Sequence, residues 1–420
     1  MHPPPSVGAT GNGPAQSRRA HSVHDFPPPG PLVEPGPPLT PERIARFSRQ
    51  LMLPGFGELA QRRLAVAGVL VVGAGGLGSA LVPYLAGAGV GTIGIADHDT
   101  VELSNLHRQV SHGVADLGRL KVDSLAETVA AIDPQCRVVR HPVRLTAANI
   151  GGILADYDLV VDGSDNFPTR YLTNDAAVLA GVPLVWGAIL RFHGQAGLSW
   201  NVHGPTYRDL FPVPPTPDEV LSCELGGVLP SICATIGSLM ATEVVKLVTG
   251  VGELLLGRVI TVDALTGRSR EIAYEAIADA PAITSLIDYE RFCGLEPAGD
   301  ADQGGAASNA AHEASAPARL APAELLARLR RGERLRLVDV REPVEAERWS
   351  IRGSELFPLG EVAAGHGPEL DDAPIVVYCE RDPRSRRAAR LLLERGHSDV
   401  VYLAGGIEGF SAVADDLVNR

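Results

Sequence analysis

Six polar side chains spread over the first half of the chain have the types that suit a polyphosphate site. They are Arg49, Asp97, Asn105, Arg108, Lys121 and Asp165. Two arginines and a lysine carry more positive charge than a nicotinamide cofactor needs, and charged donors of this kind suit triphosphate oxygens. Asp165 suits Mg²⁺, because this ion binds through one or two carboxylates together with phosphate oxygens. The set predicts a site for a nucleoside triphosphate and magnesium.

A glycine-rich turn precedes most of these residues. The stretch V-L-V-V-G-A-G-G-L-G places Gly73, Gly75 and Gly78 at G-x-G-x-x-G spacing after an apolar run. Gly73 permits a sharp turn, and Gly75 and Gly76 let the backbone approach a phosphate beside the free N–H groups that begin a helix. Asp97 ends the next apolar run, where a carboxylate can accept a ribose hydroxyl. The turn alone fits NAD, FAD, S-adenosylmethionine or ATP.

The elements that position these residues alternate between strand and helix. Apolar runs on both sides of a helical stretch form a β-α-β unit, and Pro83 is expected to kink that helix. A further strand runs into D-G-S-D-N, which places Asp162 and Asp165 at the carboxyl end of a parallel sheet, where ligands bind. A helix is predicted to begin at Pro41 with Thr40 as its cap. The predicted fold class is α/β, with a doubly wound, Rossmann-like sheet.

Composition divides the chain into four parts. Residues 1–40 contain eleven prolines and are predicted to be a disordered tail. Residues 41–296 form the larger α/β domain. Residues 297–319 are rich in Ala, Gly, Asp and Ser and are predicted to be a linker. Residues 320–420 form a second, smaller α/β domain.

Charge and cysteine content exclude several classes of protein. The chain has 420 residues, a net charge of −13 and five cysteines. The acidic balance argues against a nucleic-acid partner. The N-terminus lacks the features of a signal peptide, and the apolar stretch near the glycine turn is interrupted by glycines, so we expect no membrane span. Few, widely spaced cysteines indicate a reducing compartment, and a cytoplasmic location is predicted.

Four motifs together resemble a known family. G-A-G-G-L-G, A-D-H-D-T-V-E-L-S-N-L-H-R-Q, L-K-V-D-S and D-G-S-D-N are similar to the MoeB/ThiF family, bacterial relatives of ubiquitin-activating enzymes, over residues 41–293. The end of the chain resembles a rhodanese domain through V-D-V-R-E-P, I-V-V-Y-C and L-A-G-G-I-E-G-F. The combination looks like the MoeZ-type adenylyltransferase/sulfurtransferases.

This resemblance implies a two-step activity. ATP would adenylate the C-terminal Gly-Gly carboxylate of a small ubiquitin-like sulfur-carrier protein. Sulfur from a rhodanese persulfide would then convert the acyl-adenylate to a thiocarboxylate. The sulfur donor would be a cysteine desulfurase or thiosulfate, and the protein would be a homodimer. The carrier could belong to molybdopterin, thiamine, cysteine or natural-product biosynthesis, and the sequence does not choose among them.

The glycine turn and the resemblance together give the candidate residues. Arg49 would reach the phosphates from the partner subunit, Asp165 would bind Mg²⁺, and Arg108 would act on the triphosphate during catalysis. Cys223, in S-C-E-L-G-G-V, matches a loop cysteine thought to attack the acyl group; the alternative is a bystander thiol. The candidate nucleotide-binding residues are Gly73, Gly75, Gly76, Asp97, Ser104, Asn105, Arg108, Lys121, Asp165 and Asn166.

The chain departs from the family at a structural zinc site. Many relatives hold zinc with two C-x-x-C pairs. Here the corresponding positions are Thr206, Asp209, Glu290 and Cys293. One thiol cannot build a tetrahedral cysteine site, so we predict that the protein has no structural zinc.

A second departure lies in the rhodanese loop. Cys379 and Arg384 have the C-x-x-x-x-R spacing of a rhodanese, in which backbone N–H groups surround the sulfur. Glu380 and Asp382 place negative charge beside the cysteine, and Pro383 has no N–H to donate. Sulfur transfer at Cys379 is predicted, but weakened.

Two rival functions remain open at this point. The tail domain could be a degenerate rhodanese fold that acts only as a docking module beside an active adenylyltransferase. The whole protein could also be an NAD-dependent oxidoreductase, which only the glycine turn and Asp97 suggest. Carrier-dependent exchange of pyrophosphate into ATP distinguishes an adenylyltransferase, with or without an active tail domain, from the oxidoreductase.

Overall fold

The computed structural model describes residues 29–215, 227–293, 317–369 and 373–419. The helices are α1 Pro41–Arg46, α2 Ser48–Leu51, α3 Gly57–Val66, α4 Gly76–Ala88, α5 Lys121–Ile132, α6 Ile150–Leu154, α7 Phe167–Ala180, α8 Tyr207–Leu210, α9 Pro230–Thr249, α10 Tyr289–Phe292, α11 Pro322–Arg330, α12 Pro343–Arg348, α13 Leu359–Ala364, α14 Pro383–Glu394 and α15 Gly406–Ser411. Short 3-10 helices cover Leu103–Asn105, Val114–Asp116 and Asp415–Leu417.

Fifteen strands are found in the described residues. They are β1 Gly68–Val72, β2 Thr92–Ala96, β3 Arg137–His141, β4 Leu159–Asp162, β5 Leu184–Leu190, β6 His193–Ser199, β7 Arg258–Asp263, β8 Arg268–Ala273, β9 Ala318–Leu320, β10 Arg336–Asp339, β11 Ser350–Ile351, β12 Glu355–Leu356, β13 Ile375–Tyr378, β14 Val400–Leu403 and β15 Val418–Asn419.

The larger sheet has eight strands in the order β3-β2-β1-β4-β5-β6-β7-β8. The first five strands in this order, β3, β2, β1, β4 and β5, pair in parallel. Strands β6, β7 and β8 extend the sheet as antiparallel strands. The chain leaves β1 toward β2 on one side and later returns to β4 on the other. A crevice therefore forms at the carboxyl ends of β1 and β4, where ligands bind in open α/β sheets. The prediction of a doubly wound α/β domain is confirmed.

Two apolar helices cover one face of this sheet. Helix α4 is buried along most of its length, and α9 packs against α4 and against β5 and β6. Helix α9 is long and apolar enough to cross a membrane by length and composition, but 61% of its most apolar window is buried inside the protein. Its composition therefore fits a core helix, because it buries apolar residues on several sides.

Helix α4 continues through Pro83 as a single element. Proline has no N–H, so the carbonyl oxygen of Ser79, four residues earlier, loses its partner within the helix. The hydroxyl of Ser111 donates a hydrogen bond to this oxygen at 2.5 Å. The Ser111 side chain, from the loop that follows β2, therefore replaces the hydrogen bond that the proline removes from the helix.

The N-terminal helix begins where the sequence predicts. Thr40 caps α1 through a 3.3 Å hydrogen bond from the backbone N–H of Arg43 to the Thr40 hydroxyl oxygen. The helical segment breaks at Phe47, which is 3% exposed, and resumes as α2. The Arg43 side chain donates to the buried Asp133 carboxylate at 2.6 Å, so one of the basic side chains of α1 docks the helix beyond the end of α5.

The C-terminal domain contains a five-stranded parallel sheet, in the order β12-β10-β13-β14-β9. A two-stranded antiparallel pair, β11 and β15, lies beside it. Strand β13 is fully buried and lies at the centre of the sheet. The residue that follows it, Cys379, therefore stands at the carboxyl end of the central strand.

Candidate functional site

A cavity of about 1140 Å³ opens at the carboxyl ends of the parallel strands of the larger sheet. Nine of the ten predicted nucleotide-binding residues line it, and they come from the glycine turn, the loop after β2, the start of α5 and the loop after β4. The lining residues are Gly73, Gly75, Gly76, Asp97, Asn105, Arg108, Lys121, Asp165 and Asn166. The sequence motifs therefore come together at a single cavity.

The glycine turn is held in place by Asp97. One carboxylate oxygen of Asp97 accepts the N–H of Ala74 at 2.7 Å, and the other accepts the N–H of Asp99 at 2.8 Å. Gly73 has φ +88°, which favours glycine, and a Cβ on Gly78 would lie 1.9 Å from the Gly73 carbonyl oxygen. The spacing of glycines thus meets a packing need, and Gly76 and Leu77, the first residues of α4, line the cavity. The first N–H groups of a helix lack partners within the helix and can bind an anion.

Two cations, Arg108 on the loop after β2 and Lys121 at the start of α5, differ in how they are held. The Arg108 guanidinium donates through one nitrogen to the Ser104 carbonyl oxygen at 2.8 Å and has no carboxylate partner among the described residues. The Lys121 ammonium, 7% exposed, donates to the Asp99 carboxylate at 2.8 Å. Arg108 therefore offers the cavity a positive charge that no neighbouring acid neutralises.

The loop after β4 presents one carboxylate to the cavity and buries another. Asp162 is 1% exposed and accepts the N–H of Ser164 at 2.8 Å, and burial raises the pKa of its carboxyl group. Asp165 is exposed and lines the cavity. Asn166 caps α7, because its side-chain oxygen accepts the N–H of Thr169 at 3.0 Å. Asp165 is the better placed of the two acids for a magnesium ion.

Two predicted nucleotide-site residues do not line the cavity, and a third predicted site residue lies outside the described residues. The hydroxyl of Ser104 donates to the Glu102 carboxylate at 3.2 Å, and Ser104 is not among the lining residues. Arg49 is exposed on α2 and does not line the cavity of its own chain. Cys223 lies outside the described residues. Their roles stay predictions.

A buried histidine supports the glycine turn and was not predicted from the sequence. His112 is 6% exposed, and burial lowers the pKa of its imidazole. Its Nε2 lies 3.0 Å from the Ala74 carbonyl oxygen, and its Nδ1 lies 2.8 Å from the Ser124 hydroxyl. Because a carbonyl oxygen only accepts, Nε2 carries the proton of the neutral ring. The only sequence signal was its place three residues after the S-N-L-H-R-Q string.

In the C-terminal domain, Cys379 begins a loop that leads into α14. It is fully buried, and its sulfur lies 3.5 Å from the hydroxyl of Ser385. A Cβ on Gly406 would lie 2.4 Å from the Cys379 carbonyl oxygen, so the L-A-G-G motif packs directly against the cysteine loop. Two of the motifs that resemble a rhodanese therefore lie in contact.

The charged residues of this loop are anchored to the rest of the domain. Asp382 accepts the N–H of Gly405 at 2.7 Å, and Glu380 lies 3.7 Å from the buried guanidinium of Arg341. Arg384 makes two hydrogen bonds to the Glu345 carboxylate, both at 2.7 Å. Glu380 and Asp382 thus each have a partner elsewhere in the domain. The arginine of the C-x-x-x-x-R spacing is held by an acid.

Residues beside the zinc positions of the family form another kind of network. Asp175, 2% exposed, accepts two hydrogen bonds from Arg208 at 2.7 Å and one from the Tyr289 hydroxyl at 2.7 Å. Arg208 lies between Thr206 and Asp209, the positions of the first expected cysteine pair. Its guanidinium carbon lies 4.7 Å from the ring centre of Phe292, which lies between the positions of the second pair. Burial raises the pKa of Cys293 to about 11, which disfavours the thiolate that binds zinc.

This network leads to a prediction about stability and metal content. Arg208→Ala should lower the free energy of unfolding by about 3 kcal/mol, because it leaves the buried carboxylate of Asp175 without its cation. EDTA should leave the melting temperature of the natural protein unchanged. Denaturant unfolding and metal analysis check both. Arg291→Ala, an exposed arginine in the same segment, is the control. One zinc per chain would show that the positions around Cys293 have been misread.

The family models match both parts of the chain. The ThiF family model matches residues 47–280. The rhodanese-like domain model matches residues 321–413. These ranges contain the cavity residues and the Cys379 loop, respectively.

The chain is similar to proteins that carry both regions. It is 48% identical over 383 residues to a protein of Mycobacterium tuberculosis (strain CDC 1551 / Oshkosh) named "Probable adenylyltransferase/sulfurtransferase MoeZ", covering 90% of this chain and 95% of that protein. It is 36% identical over 427 residues to "Adenylyltransferase and sulfurtransferase MOCS3" of Drosophila grimshawi, covering 98% and 90%. The "Sulfur carrier protein adenylyltransferase" of Thermus thermophilus is 47% identical over 267 residues, covering 61% and 98%.

Solved structures share the fold of the larger domain. The crystal structure of E. coli MccB aligns with a TM-score of 0.50 and 19% sequence identity, covering 59% of this chain and 75% of that one. The family itself rests on the sequence matches, which include a family model over more than half of the chain. The chain belongs to the ThiF family, and a rhodanese-like domain follows its ThiF region.

Proposed function

We propose that this protein uses ATP to adenylate the C-terminal Gly-Gly carboxylate of a small ubiquitin-like sulfur-carrier protein. The outer sulfur of a persulfide on Cys379, in the rhodanese-like domain, then displaces AMP from the acyl-adenylate, and a second thiol cleaves the resulting acyl disulfide, which releases the carrier thiocarboxylate and leaves Cys379 in a disulfide with that thiol. The names of the two-domain relatives, MoeZ and MOCS3, and of the sulfur-carrier adenylyltransferase support both steps. An adenylyltransferase whose tail domain only docks partners is the alternative.

The convergence of Arg108, the start of α4 and Asp165 on one cavity carries this proposal. A carboxylate and ATP repel each other, so their reaction needs positive groups that offset the charge on the phosphates. The helix start and the unneutralised guanidinium of Arg108 provide such groups. Asp165 would hold the Mg²⁺ ion, which neutralises phosphate oxygens as pyrophosphate leaves. A hydride-transfer site has no need of this arrangement.

Several parts of the proposal concern assembly and partners. We place the boundaries of the adenylation domain at residues 41–296 and of the rhodanese-like domain at 320–420, joined by a linker at 297–319. The protein would act as a homodimer in the cytoplasm, with Arg49 of one chain reaching the phosphates in the other. Cys223 would attack the acyl group, and a cysteine desulfurase or thiosulfate would donate sulfur. The exposed position of Arg49 on α2 is compatible with such a contact.

Exchange of labelled pyrophosphate into ATP tests the proposed adenylation. Exchange should require a carrier that ends in Gly-Gly, and removal of the last glycine from the carrier should abolish it. Absence of exchange with every carrier of the same organism, together with tight NAD binding, would favour the oxidoreductase instead. Thiocarboxylate formation on the carrier, followed by mass spectrometry, tests the second step.

The role of Asp165 gives a metal-dependent prediction. Asp165→Asn should lower the exchange rate at millimolar Mg²⁺ by roughly tenfold or more, because a neutral amide is a much weaker ligand for a hard cation. Higher Mg²⁺ should restore part of the rate. Asp156→Asn, at the opposite end of β4 and exposed, should have no effect. An unchanged Mg²⁺ requirement in Asp165→Asn would remove this residue from the metal site.

A further inference from the structure

The loop that follows β13 is hydrogen-bonded to the start of α15. The N–H of Ile407 donates to the carbonyl oxygen of Cys379 at 2.9 Å, and the N–H of Glu408 donates to the carbonyl oxygen of Glu380 at 3.2 Å. The two segments are also in tight contact, because a Cβ on Gly406 would lie 2.4 to 2.5 Å from three backbone atoms of the cysteine loop. The loop and the helix start therefore pack without a gap.

Two side chains of the loop add bonds to the same helix start. The Asp382 carboxylate accepts the N–H of Gly405 at 2.7 Å, and this contact is partly buried. The Arg381 guanidinium pairs with the Glu408 carboxylate at 3.0 Å, but both of these side chains are exposed, and exposed ion pairs stabilise little in water. A carboxylate that accepts a partly buried N–H makes the stronger contact. Asp382 therefore provides the main side-chain bond between the loop and α15.

This closed loop leaves the Cys379 sulfur without access to solvent. Cys379 is 0% exposed and belongs to an apolar cluster that includes Val377, Ala388 and Leu392. A sulfur donor must approach the thiolate to about 3.5 Å before a bond can form. A persulfide also adds a second sulfur, about 2 Å beyond the first. Both steps require the groups around the sulfur to move apart, and residues 379–382 lie outside the helices and strands.

We propose that the hydrogen bond from Gly405 to Asp382 holds the Cys379 loop closed, and that a sulfur donor reaches Cys379 only after this bond breaks. Asp382 acts through its acceptor oxygen, and it is a positioning residue because it works through the loop and not on the sulfur itself. The inference rests on the proposed function only because Cys379 is taken as the thiol that carries sulfur.

The rate at which iodoacetamide alkylates Cys379 in the full-length protein tests the closed loop. The thiolate displaces iodide, so the rate reports access to the sulfur, and mass spectrometry of the Cys379 peptide separates this thiol from the other four. Asp382→Ala should be alkylated at least about tenfold faster, the usual order for the loss of one hydrogen bond to a charged group. Asp416→Ala, at an exposed acid elsewhere in the domain, should react at the natural rate.

A second variant distinguishes the hydrogen bond from the charge. Asp382→Asn removes the negative charge beside the cysteine but keeps an oxygen that can accept the N–H of Gly405. Its alkylation rate should stay closer to that of the natural protein than to that of Asp382→Ala. If Asp382→Asn reacts as fast as Asp382→Ala, the charge controls the thiol and the proposal is wrong. An unchanged rate in Asp382→Ala would overturn it as well.

Persulfide formation with thiosulfate separates an opened loop from a misfolded domain. The Cys379 thiolate attacks the outer sulfur of thiosulfate, the bond between the two thiosulfate sulfurs breaks, and sulfite leaves with the electron pair. Asp382→Ala should form this persulfide faster than the natural protein. Faster alkylation together with a loss of persulfide formation would show that Asp382 supports the folded domain and does not merely close the loop, and would overturn the proposal.

The two readouts also keep this inference apart from the proposed function. Alkylation needs neither ATP nor a carrier. If the natural protein transfers no sulfur while the alkylation rates of the variants differ as expected, the proposed sulfur transfer fails and the closing bond stands. If sulfur transfer is normal and all variants are alkylated at one rate, the closing bond fails and the proposed function stands.

Discussion

Arg108→Ala is expected to abolish measurable carrier-dependent exchange of pyrophosphate into ATP. The loss should be at least about a hundredfold, the order found when one preorganised donor is removed from a developing negative charge. The guanidinium lines the cavity and is anchored through a single nitrogen, at 2.8 Å from the Ser104 carbonyl oxygen. Its other nitrogens are available to phosphate oxygens. Among the cations of this loop, Lys121 is already held by Asp99.

A conservative variant and a matched control sharpen this result. Arg108→Lys should recover only part of the activity, because an ammonium cannot present two parallel donors to a phosphate. Arg137→Ala, an exposed arginine at the start of β3 and outside the cavity, should exchange normally. Full activity in Arg108→Ala would show that the triphosphate binds elsewhere. The same assay should be run at saturating ATP, so that a loss of binding and a loss of rate can be told apart.

The meeting of the candidate residues at one cavity could be predicted because its signals are local. The glycine turn, Asp97 and Arg108 fall within 36 residues of chain, and the strand ends that carry them meet at one edge of a parallel sheet. Spacing and residue type were therefore enough to assign them to a single cavity. Asp165 was added because it follows another strand of the same sheet.

The supporting contacts could not be predicted, since they join distant parts of the chain. Asp175 meets Arg208 across 33 residues and Tyr289 across 114 residues. Ser111 pairs with the carbonyl oxygen that Pro83 leaves free, 32 residues earlier. Each partner alone is an ordinary polar residue, and only the packing of helices and loops decides which pairs form. Sequence reasoning found the zinc ligands missing but did not find what stands in their place.

The contacts of the acidic residues in the Cys379 loop also could not be predicted from the sequence. The sequence places Glu380 and Asp382 next to the cysteine, and their charges alone argue against a persulfide. In the folded domain, Asp382 accepts the N–H of Gly405, and Glu380 lies near Arg341. Asp382 therefore has a backbone donor, and Glu380 shares with Asp339 a guanidinium that is far away in sequence. Sulfur transfer at Cys379 stays a prediction.

Cys379→Ala is therefore expected to reduce carrier thiocarboxylation to background while leaving pyrophosphate exchange intact. Removing the sulfur removes the atom on which a persulfide must form, so no residual rate should depend on the sulfur donor. Adenylation should persist, because Cys379 lies in the rhodanese-like domain and the nucleotide cavity is lined by the ThiF region. Thiocarboxylate is measured on the carrier by mass spectrometry, with either thiosulfate or a desulfurase as donor.

Two further variants help to interpret the result for Cys379→Ala. Cys136→Ala is the matched control, because this thiol is also buried and burial raises its pKa to about 11, which suits a packed, inert group. It should transfer sulfur normally. Ser385→Ala removes the hydroxyl 3.5 Å from the Cys379 sulfur and should slow transfer without abolishing it. If Cys379→Ala forms thiocarboxylate at the natural rate, the domain is a docking module, and the sulfur that reaches the acyl-adenylate comes from another protein.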